Sequence, residues 1–368
     1  MTKRIVLVIP TMDRGGAEKQ LCLLAENLPR EQFDVHVILL TRDGPLSARL
    51  RQAGIPVTVI GKRFKADPSA FFRLRKELKR LRPDVVHTWL FAANSFGRAA
   101  ALGAKVPRII GSERCVDPWK TAAHFMIDRQ LAKVSETITT NSAGVRDFYV
   151  HHGISHDKFT LIPNGIEPLL QSPLSRDEAF ASLGVDPKRK LIIAVGRLWP
   201  QKRYRDLIWS AELLGALRQD TTFAIIGDGP QKGELLRHRD AVTIPRHVRF
   251  CGQRDDVPAI LPHADAFWIG SEYEGQSNSL IEAMQARVPV VASDIPGNRD
   301  LVLDQKTGRL VALGDTADFA RQTNELLDDP DEAHRLGTNA AEKIASNFTV
   351  DQMVLRHVDL YLKRDKTS

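Results

Sequence analysis

Short apolar runs rich in branched side chains alternate along the chain with longer stretches that carry apolar residues at helical spacing. Such runs, about five residues long and almost continuously apolar, are typical of strands whose two faces are both covered by helices. The alternation therefore predicts βαβ units and parallel sheets. The predicted strands are residues 4–10, 35–40, 57–60, 85–87, 108–111, 137–140, 158–162, 191–195, 222–226, 248–250, 266–269, 289–292 and 309–311.

The strand signal is interrupted between Pro168 and Pro187, where the chain carries a further proline and a short amphipathic piece. Residues 169–186 are therefore predicted to link two domains, residues 1–168 and residues 187–347. A chain of 368 residues suits two α/β domains better than one hydrophobic core. Apolar residues recur at helical spacing near the end of the chain, and residues 348–368 are predicted to form a final helix.

Composition and cysteine usage indicate a globular protein of a reducing compartment, and we expect it to be cytoplasmic. Hydrophobic residues make up 43% of the chain, but no apolar run approaches the roughly 18 residues of a membrane-spanning helix. The first apolar run ends at Pro10 and is too short for a signal peptide. Cys22, Cys115 and Cys251 are far apart and lack metal-ligand spacing.

Positive charge is concentrated in the first half of the chain. Residues 1–168 hold 26 basic and 16 acidic side chains, whereas the remaining residues hold 26 basic and 29 acidic ones. This distribution favours an anionic partner there, such as phospholipid, a polyprenyl phosphate or nucleic acid.

The segment from Ser271 to Met284 follows a predicted strand and is the most informative stretch. A helix is predicted to begin near Ser277 or Asn278, both good N-cap residue types. Gly275 lets the backbone approach a ligand, and the N–H groups of the helix start suit a diphosphate at the carboxyl edge of the sheet. The carboxylates of Glu274 and Glu282 can accept hydrogen bonds from sugar and ribose hydroxyls. An ordinary solvated helix face is the alternative for each glutamate taken alone.

Two further turns follow predicted strands. Gly196 permits a sharp strand exit, and Arg197 and Lys202 behind it can neutralise a diphosphate as Mg²⁺ does elsewhere. A basic pair in a loop is otherwise ordinary solvated surface. Gly15 and Gly16 occupy the first turn and let a ligand lie against the backbone, without matching the Gly-x-Gly-x-x-Gly dinucleotide pattern.

Together these residues resemble the retaining glycosyltransferases of family 4, which have the GT-B fold. The resemblance covers nearly the whole chain, because the order and spacing of several weak motifs agree. These motifs are the Gly15-Gly16 turn, Asp84 to His87, Asn141-Ser142, Ile162 to Ile166, Gly196-Arg197 with Lys202, Gly227 to Gly229, Phe250 to Gly252, the Glu274 to Glu282 segment, Pro289 to Asp294 and Thr307-Gly308.

The resemblance implies an α/β fold of two Rossmann-like domains with a cleft between them, and a final helix that crosses back to the first domain. The first domain would bind the acceptor and the second the nucleotide sugar. It also implies retention of anomeric configuration, with neither a metal nor another cofactor.

The resemblance also implies roles for individual residues. Arg197 and Lys202 would bind the donor diphosphate, Glu282 the ribose and Glu274 the transferred sugar, while backbone near Arg254 would hold the base. The expected donor site is completed by Gly15, Gly16, Gly275, Gln276, Ser277, Asn278 and Ser279.

One position departs from the family pattern. Many relatives have a histidine after the strand that corresponds to residues 108–111, and Arg114 occupies that place here. Arg114 could stabilise the leaving phosphate or bind an acidic acceptor. His124 and His87 are the other candidates for the missing group, although a structural role is at least as good an interpretation of His87.

A basic amphipathic stretch, residues 71–82, raises a membrane hypothesis. Phe71, Leu74, Leu78 and Leu81 share one helix face, and basic side chains crowd the rest. An anionic membrane surface is one candidate partner, at the inner face of the cytoplasmic membrane, and an ordinary domain helix is the equal alternative. Nucleic acid is not expected, because no interleaved aromatic residues or reader motif accompany the charge.

The predicted function is transfer of a sugar from a nucleoside diphosphate sugar to a hydroxyl of a glycan or lipid-linked acceptor. The leaving diphosphate would serve as the base for attack on the same face, because no well-placed enzymic nucleophile is evident. A double displacement is the alternative, and Glu274 is the only carboxylate nominated for it. The alternatives are a nucleotide-sugar epimerase of the same fold and a non-catalytic nucleotide-sugar-binding or scaffolding protein.

Overall fold

The computed structural model describes residues 2–169, 172–244 and 247–363. The chain divides into two compact units. The first comprises the residues up to Gly165 together with those from Thr349 onward, and the second comprises Ile166–Phe348.

The first unit is a parallel sheet with helices on both faces. In its described part the sheet has seven strands in the order β3-β2-β1-β4-β5-β6-β7. The strands are β1 (Lys3–Ile9), β2 (Phe33–Leu39), β3 (Val57–Val59), β4 (Val85–Trp89), β5 (Arg108–Glu113), β6 (Thr137–Thr140) and β7 (Phe159–Leu161). The helices are α1 (Gly16–Asn27), α2 (Ser47–Gln52), α3 (Pro68–Leu81), α4 (Leu90–Ala104), α5 (Ala122–Val134) and α6 (Ala143–His151).

The second unit repeats this plan. Its described strands form a six-stranded parallel sheet in the order β10-β9-β8-β11-β12-β13. The strands are β8 (Lys190–Val195), β9 (Thr221–Ile226), β10 (Val248–Phe250), β11 (Ala266–Ile269), β12 (Val290–Ser293) and β13 (Arg309–Val311). The helices are α7 (Arg176–Leu183), α8 (Tyr204–Leu217), α9 (Lys232–Val242), α10 (Val257–Ile260), α11 (Asn278–Gln285), α12 (Pro296–Arg299), α13 (Thr316–Asp328) and α14 (Pro330–Asn347).

The last described helix, α15 (Val350–Leu362), packs in the first unit. Its buried residues Met353, Val354 and Val358 join the core formed by β1, β2 and α1. Tyr361 is fully buried, and its hydroxyl lies 2.7 Å from Nδ1 of His87 on β4. The apolar residues of α15 share one helix face because that face is buried in the core of the first unit. Residues 364–368, also predicted as part of it, lie outside the described residues.

The predicted linker, residues 169–186, is corrected by the structure. Its described part belongs to the second unit, where α7 buries Ala179, Phe180 and Leu183. Phe180 and Leu183 join the core of β8, β11 and β12, so the helix is a component of the unit. The prolines and the missing strand signal of the segment do not predict that it packs in the core of the second unit. Leu170 and Gln171 of the segment fall outside the described residues.

The basic stretch forms α3, which packs its apolar face in the first unit and leaves Lys76 and Lys79 exposed. Ala70, Leu74, Leu78 and Leu81 are buried in the core on one face of the first sheet. The helix begins at the buried Asp67, whose carboxylate accepts a hydrogen bond from the backbone N–H of Ala70. Hydrogen bonds from Ser69 and the backbone hold the pKa of that carboxyl well below its usual range.

Candidate functional site

The predicted donor residues lie where the topology of the second unit places a binding crevice. Strands β8 and β11 are neighbours in the sheet. The chain passes from β8 to β9 on one side of this pair and from β11 to β12 on the other side. Ligands of doubly wound sheets bind beyond the carboxyl ends of the strands at such a switch point. The loop that follows β8 carries Arg197 and Lys202, and the loop that follows β11 carries Glu274 and Gly275.

The loop after β8 is held by close backbone packing against the loop after β9. Gly196 N–H donates to Ile226 O at 3.0 Å, and Leu198 N–H donates to Asp228 O at 3.0 Å. A Cβ at Gly227 would lie 2.0 Å from the Gly196 carbonyl oxygen, and the φ of Gly227 is +145°. Only glycine fits there, so the Gly227 turn fixes the path of the loop that bears Arg197.

Three contacts join the loops after β8 and β11. The Lys202 ammonium donates to Glu274 Oε1 at 2.5 Å, with the two side chains 17% and 10% exposed. Gln201 donates from Nε2 to the Tyr273 carbonyl at 2.6 Å, and Glu272 N–H donates to the Gln201 carbonyl at 2.9 Å. Two of the predicted site residues are thus brought into direct contact, although 72 positions separate them.

Tyr204 lies beneath these loops at the start of α8. It is fully buried, and its hydroxyl is 3.1 Å from the position that a Cβ of Gly196 would take. Burial and the nearby Glu274 carboxylate raise the pKa of the Tyr204 phenol well above its usual range. The phenol therefore stays neutral below the Lys202–Glu274 ion pair.

Helix α11 begins where the sequence predicts, with Ser277 as its N-cap. The first-turn N–H groups of a helix have no carbonyl partner within it, so its start can accept an anion. Leu280, Ile281 and Met284 are buried as predicted. Glu282 lies half-buried in the second turn.

The glycines on either side of this helix start pack backbone against backbone. Gly275 is buried, and a Cβ at Gly297 on α12 would lie 2.3 Å from the Gly275 carbonyl oxygen and 2.8 Å from that of Glu274. Gln276 and Ser277 are also buried, while Asn278 and Ser279 are half-buried. Helix α12 thus fixes the backbone that presents Glu274.

The remaining two donor-site candidates of this unit differ in their engagement. Arg197 is exposed, with its guanidinium over the Trp199 ring at 5.5 Å. Arg254 is bound in place, because it donates to both carboxylate oxygens of Asp256 at 2.8 and 2.6 Å and to the Ser182 carbonyl at 2.9 Å. Its side chain therefore anchors the end of α7, and any contact with a base is left to the backbone nearby.

In the first unit, Gly15 and Gly16 form the N-terminal start of α1, after the loop that follows β1. Gln20 on this helix clamps the turn that follows β7, since its amide exchanges two hydrogen bonds of 2.8 Å with the backbone of Gly165. The neighbouring Asn164 accepts a hydrogen bond from Arg114. The glycine turn and Arg114 are thus connected through α1 and the turn after β7.

Strand β5 runs two residues beyond its predicted end, so Ser112 and Glu113 are strand residues and Arg114 follows the strand directly. Arg114 is buried, and its guanidinium lies over the Trp89 ring with Cζ 4.7 Å from the centroid. Burial lowers the pKa of Arg114 to about 9, which leaves the guanidinium charged at neutral pH.

The two histidine candidates have structural partners. His87 is fully buried within β4, bonded to Tyr361 through Nδ1 and 3.2 Å from Thr139 Oγ1 through Nε2. Burial lowers its pKa well below the usual range. His124 accepts a hydrogen bond from the Thr121 backbone N–H at 3.0 Å and caps α5.

A buried network of charged side chains around Glu113 was not predicted. The Lys120 ammonium lies 2.9 Å from Asp128 Oδ2, 3.2 Å from Asp117 Oδ2 and 3.8 Å from Glu113 Oε2. Burial raises the pKa of Glu113 to about 7. The acids are scattered over β5, a loop and α5, and no local spacing in the sequence could have identified the network.

Residues 2–169, 172–244 and 247–363 contain no group of three or more His, Cys, Asp or Glu side chains arranged to hold a metal ion. No helix within those ranges combines the length and the apolar character needed to cross a membrane.

Family models match both halves of the chain. The model described as Glycosyltransferase Family 4 matches residues 14–168, and the model described as Glycosyl transferases group 1 matches residues 175–343.

Two curated relatives match over nearly their full length. The chain is 27% identical over 357 residues to the Escherichia coli UDP-Gal:alpha-D-GlcNAc-diphosphoundecaprenol alpha-1,3-galactosyltransferase, covering 92% of this chain and 91% of that protein. It is 26% identical over 379 residues to the alpha-maltose-1-phosphate synthase of Mycolicibacterium smegmatis, covering 95% of each.

The solved structure of Anabaena HepE in complex with UDP-glucose shows the same fold. It aligns with a TM-score of 0.88 at 22% identity, over 97% of this chain and 99% of that chain. Sucrose-phosphate synthase from Thermosynechococcus elongatus aligns with a TM-score of 0.82 at 18% identity, over 98% of each chain. The predicted two-domain GT-B fold is confirmed.

Proposed function

Because this chain belongs to the group 1 glycosyltransferases of family 4, we propose that it transfers a sugar from a uridine diphosphate sugar with retention of anomeric configuration. The observation that carries the proposal is the Lys202–Glu274 ion pair, which joins the two loops of the switch point beside the start of α11. A cation for the diphosphate and a carboxylate for the sugar stand together at the position where this type of sheet binds its ligands.

The donor would be held by four groups of the second unit. Arg197 and Lys202 neutralise the diphosphate, and the start of α11 adds backbone N–H donors. Glu282 accepts hydrogen bonds from the ribose hydroxyls. Glu274 binds Lys202 before the donor arrives, so the ammonium is already oriented and less side-chain entropy is lost on binding.

In the reaction, the bond between C1 of the sugar and the diphosphate oxygen breaks, and the acceptor oxygen bonds to C1 on the same face. The acceptor hydroxyl proton passes to the departing diphosphate, which leaves as the nucleoside diphosphate. Arg197 and Lys202 stabilise the charge that develops on the leaving oxygen, the role that cations take at phosphoryl leaving groups elsewhere. Glu274 orients the sugar by accepting hydrogen bonds from the sugar hydroxyl groups, and its negative charge stabilises the positive charge that develops at C1.

We further propose a lipid-linked acceptor. Support comes from the Escherichia coli relative, whose name specifies a diphosphoundecaprenol-linked sugar, and from the excess of basic residues in the first 168 positions. Lys76 and Lys79 on the outer face of α3 are exposed and suit an anionic membrane surface. Such a transferase would act at the cytoplasmic face of the membrane in cell-envelope biosynthesis.

Transfer from UDP-galactose, UDP-glucose and UDP-N-acetylglucosamine to an alkyl-diphosphate-linked N-acetylglucosamine tests the proposal, with NMR of the product's anomeric proton. We expect an α-linked product from one donor, and a fall in kcat of about 100-fold or more in Lys202→Met and Glu274→Gln. The exposed Arg321 provides a control, since Arg321→Met leaves the site unchanged. An inverted product contradicts the mechanism, and UDP binding without transfer to any hydroxyl acceptor favours a binding protein.

A further inference from the structure

A buried cation in the first unit lacks an anionic partner. Only 7% of the Arg114 surface is exposed. Nη2 donates to Asn164 Oδ1, whereas Nε and Nη1 are buried and have no hydrogen-bond partner among the described residues. Burial is the one cause of the shift in its pKa, and no described carboxylate opposes it.

The same unit shows how a structural arginine is accommodated. Arg108 is also 7% exposed, but it donates to both carboxylate oxygens of Glu136 at 2.6 and 2.8 Å. It further donates to the carbonyl groups of Tyr361 at 2.7 Å and Leu360 at 2.8 Å. Removing a charge from water is strongly unfavourable unless partners replace the water. Arg108 has a carboxylate and two carbonyl groups as partners, whereas the described partners of Arg114 are the Asn164 amide oxygen and the Trp89 ring, neither of which is an anion.

Other buried polar atoms near Arg114 also lack a hydrogen-bond partner among the described residues. We call Trp89, Arg114, Asn141, Asn164 and His357 the Arg114 cluster. The indole Nε1 of Trp89, Oδ1 of Asn141 and Nε2 of His357 are buried without a hydrogen-bond partner in the described part of the chain. The members are in contact, since Asn141 Nδ2 donates to Asn164 at 3.3 Å and the Trp89 and His357 rings stack with centroids 6.4 Å apart.

The cluster lies at the carboxyl edge of the sheet, where doubly wound folds bind ligands. Trp89 ends β4, Arg114 follows β5 and Asn141 follows β6. Buried polar atoms normally have hydrogen-bond partners. Several buried atoms without one, around a guanidinium that has no described anionic partner, therefore indicate a ligand-binding site.

We propose that the Arg114 cluster binds a phosphate oxyanion of the acceptor, next to the sugar whose hydroxyl is glycosylated. The inference rests on the proposed function, in which the first unit receives the acceptor. The guanidinium and the indole N–H supply donors to the phosphate oxygens, as guanidinium groups do at phosphate sites. Asn141 Oδ1 and His357 Nε2 would accept hydrogen bonds from hydroxyl groups of the acceptor next to the phosphate. The enzyme would therefore distinguish acceptor diphosphates from neutral glycosides.

Stability measurements separate a binding role from a structural one. Arg114→Met should leave Tm unchanged or raise it, because it removes a buried charge that has no anionic partner among the described residues. Arg108→Met is the matched control at equal exposure, and its Tm should fall because Glu136 loses its partner. A fall in Tm of Arg114→Met as large as that of Arg108→Met would overturn the inference, since it would show that the fold itself needs Arg114.

Binding is tested with inorganic pyrophosphate in the presence of saturating UDP, which occupies the donor site. We expect pyrophosphate to raise the Tm of the wild-type protein and not that of Arg114→Met. Equal shifts in both proteins, or no shift in either, would contradict the inference. The donor proposal stays separately testable, because UDP alone should raise the Tm of both proteins; loss of the UDP shift in Arg114→Met alone would assign the anion to the donor instead.

Turnover identifies the source of the phosphate. With an alkyl-diphosphate-linked acceptor, Arg114→Met should raise the acceptor KM about tenfold or more and leave the donor KM unchanged. With the matching alkyl glycoside, which lacks phosphate, the wild type and the variant should have equal KM values. Arg114→Lys keeps the charge but loses the fork geometry and should give an intermediate KM. An equal loss on both acceptors would refute phosphate recognition.

Discussion

Glu113 shows at the residue scale how the first unit holds ionisable groups out of water. Asn94 Nδ2 donates to its Oε1 at 2.9 Å, and the Tyr149 hydroxyl lies 3.0 Å from its Oε2. Its pKa is raised to about 7, chiefly because burial disfavours the carboxylate. The network holds the chain immediately beyond β5, so Glu113 positions the segment that starts with Arg114.

Stability should therefore depend on pH through Glu113. In the folded state the pKa of Glu113 is about 7, against an ordinary value of 4.5 in the unfolded state. Between pH 4.5 and 7 the folded state therefore binds a proton at Glu113 more readily than the unfolded state does. The free energy of unfolding of the wild type should fall relative to that of Glu113→Gln as pH rises from 4.5 to 8, by about 2 to 3 kcal/mol. Urea unfolding at several pH values measures this difference.

Glu234→Gln is the matched control for the substitution itself, because the Glu234 side chain is 45% exposed and pairs with Arg205 at 3.0 Å near the surface. Parallel stability curves for the wild type and Glu113→Gln would show that Glu113 titrates as an ordinary carboxyl group.

Single residues differ in how far the sequence predicts them. Glu274 and Lys202 were predicted because each follows a strand that has a strong local signal, and the structure adds their contact. The Arg254 guanidinium is committed to Asp256 and Ser182, which only the folded chain reveals. The buried state of Arg114 likewise depends on Trp89 and α15, which are distant in sequence.

At the scale of elements, close backbone packing positions the donor loops. Gly297→Ala should destabilise the second unit by about 1 to 3 kcal/mol and weaken UDP binding, because the new Cβ would displace the Gly275 and Glu274 carbonyls. Thermal unfolding with and without UDP measures both effects.

Gly233 in α9 is the control for this substitution. Only the end of the Arg237 side chain, at 3.7 Å, lies near its Cβ position, so Gly233→Ala should be neutral or slightly stabilising. A Gly297→Ala variant with unchanged stability and UDP affinity would show that α12 does not fix the donor loop.

Helix α15 is tied to the first unit by buried polar contacts. Tyr361→Phe removes the partner of His87 Nδ1 and should cost about 1 to 3 kcal/mol. Hydrogen exchange should accelerate in β1, β4 and α15 and stay unchanged in β8 to β13, because α15 belongs to the first unit. Acceleration confined to the second unit would contradict this division.

The strands were predictable because each is a short run rich in apolar and β-branched residues, a local signal that needs no tertiary information. The incorporation of α7 into the second unit was not, since its weak amphipathic pattern becomes interpretable only when Phe180 meets the core. Similarly, α3 has the charge of a membrane-binding helix, but three of its arginines bond within the unit, to Ile60 and Gly61, to Gly103 and to Glu77.

At the scale of the molecule, two units of the same topology divide the work of the proposed transferase. Strand order alone places a binding crevice at the carboxyl edge of each sheet, between β1 and β4 and between β8 and β11. In the proposal, the second unit binds the nucleotide sugar with cations and carboxylates, and the first binds an acceptor phosphate with the buried guanidinium of Arg114. Family membership supports the reaction class, while the sugar and the acceptor depend on the contacts proposed above.

The central claim is that the switch point of the second unit binds a nucleoside diphosphate. The direct measurement is a thermal-shift series with UDP, GDP, ADP and dTDP on the wild type, Arg197→Ala and Glu282→Ala. At about 100 times its Kd a ligand adds about 2.7 kcal/mol to the free energy of unfolding. We predict such a shift with UDP for the wild type and a smaller one in both variants. A folded protein that none of the four diphosphates stabilises, or variants that respond to UDP as the wild type does, would contradict the donor site.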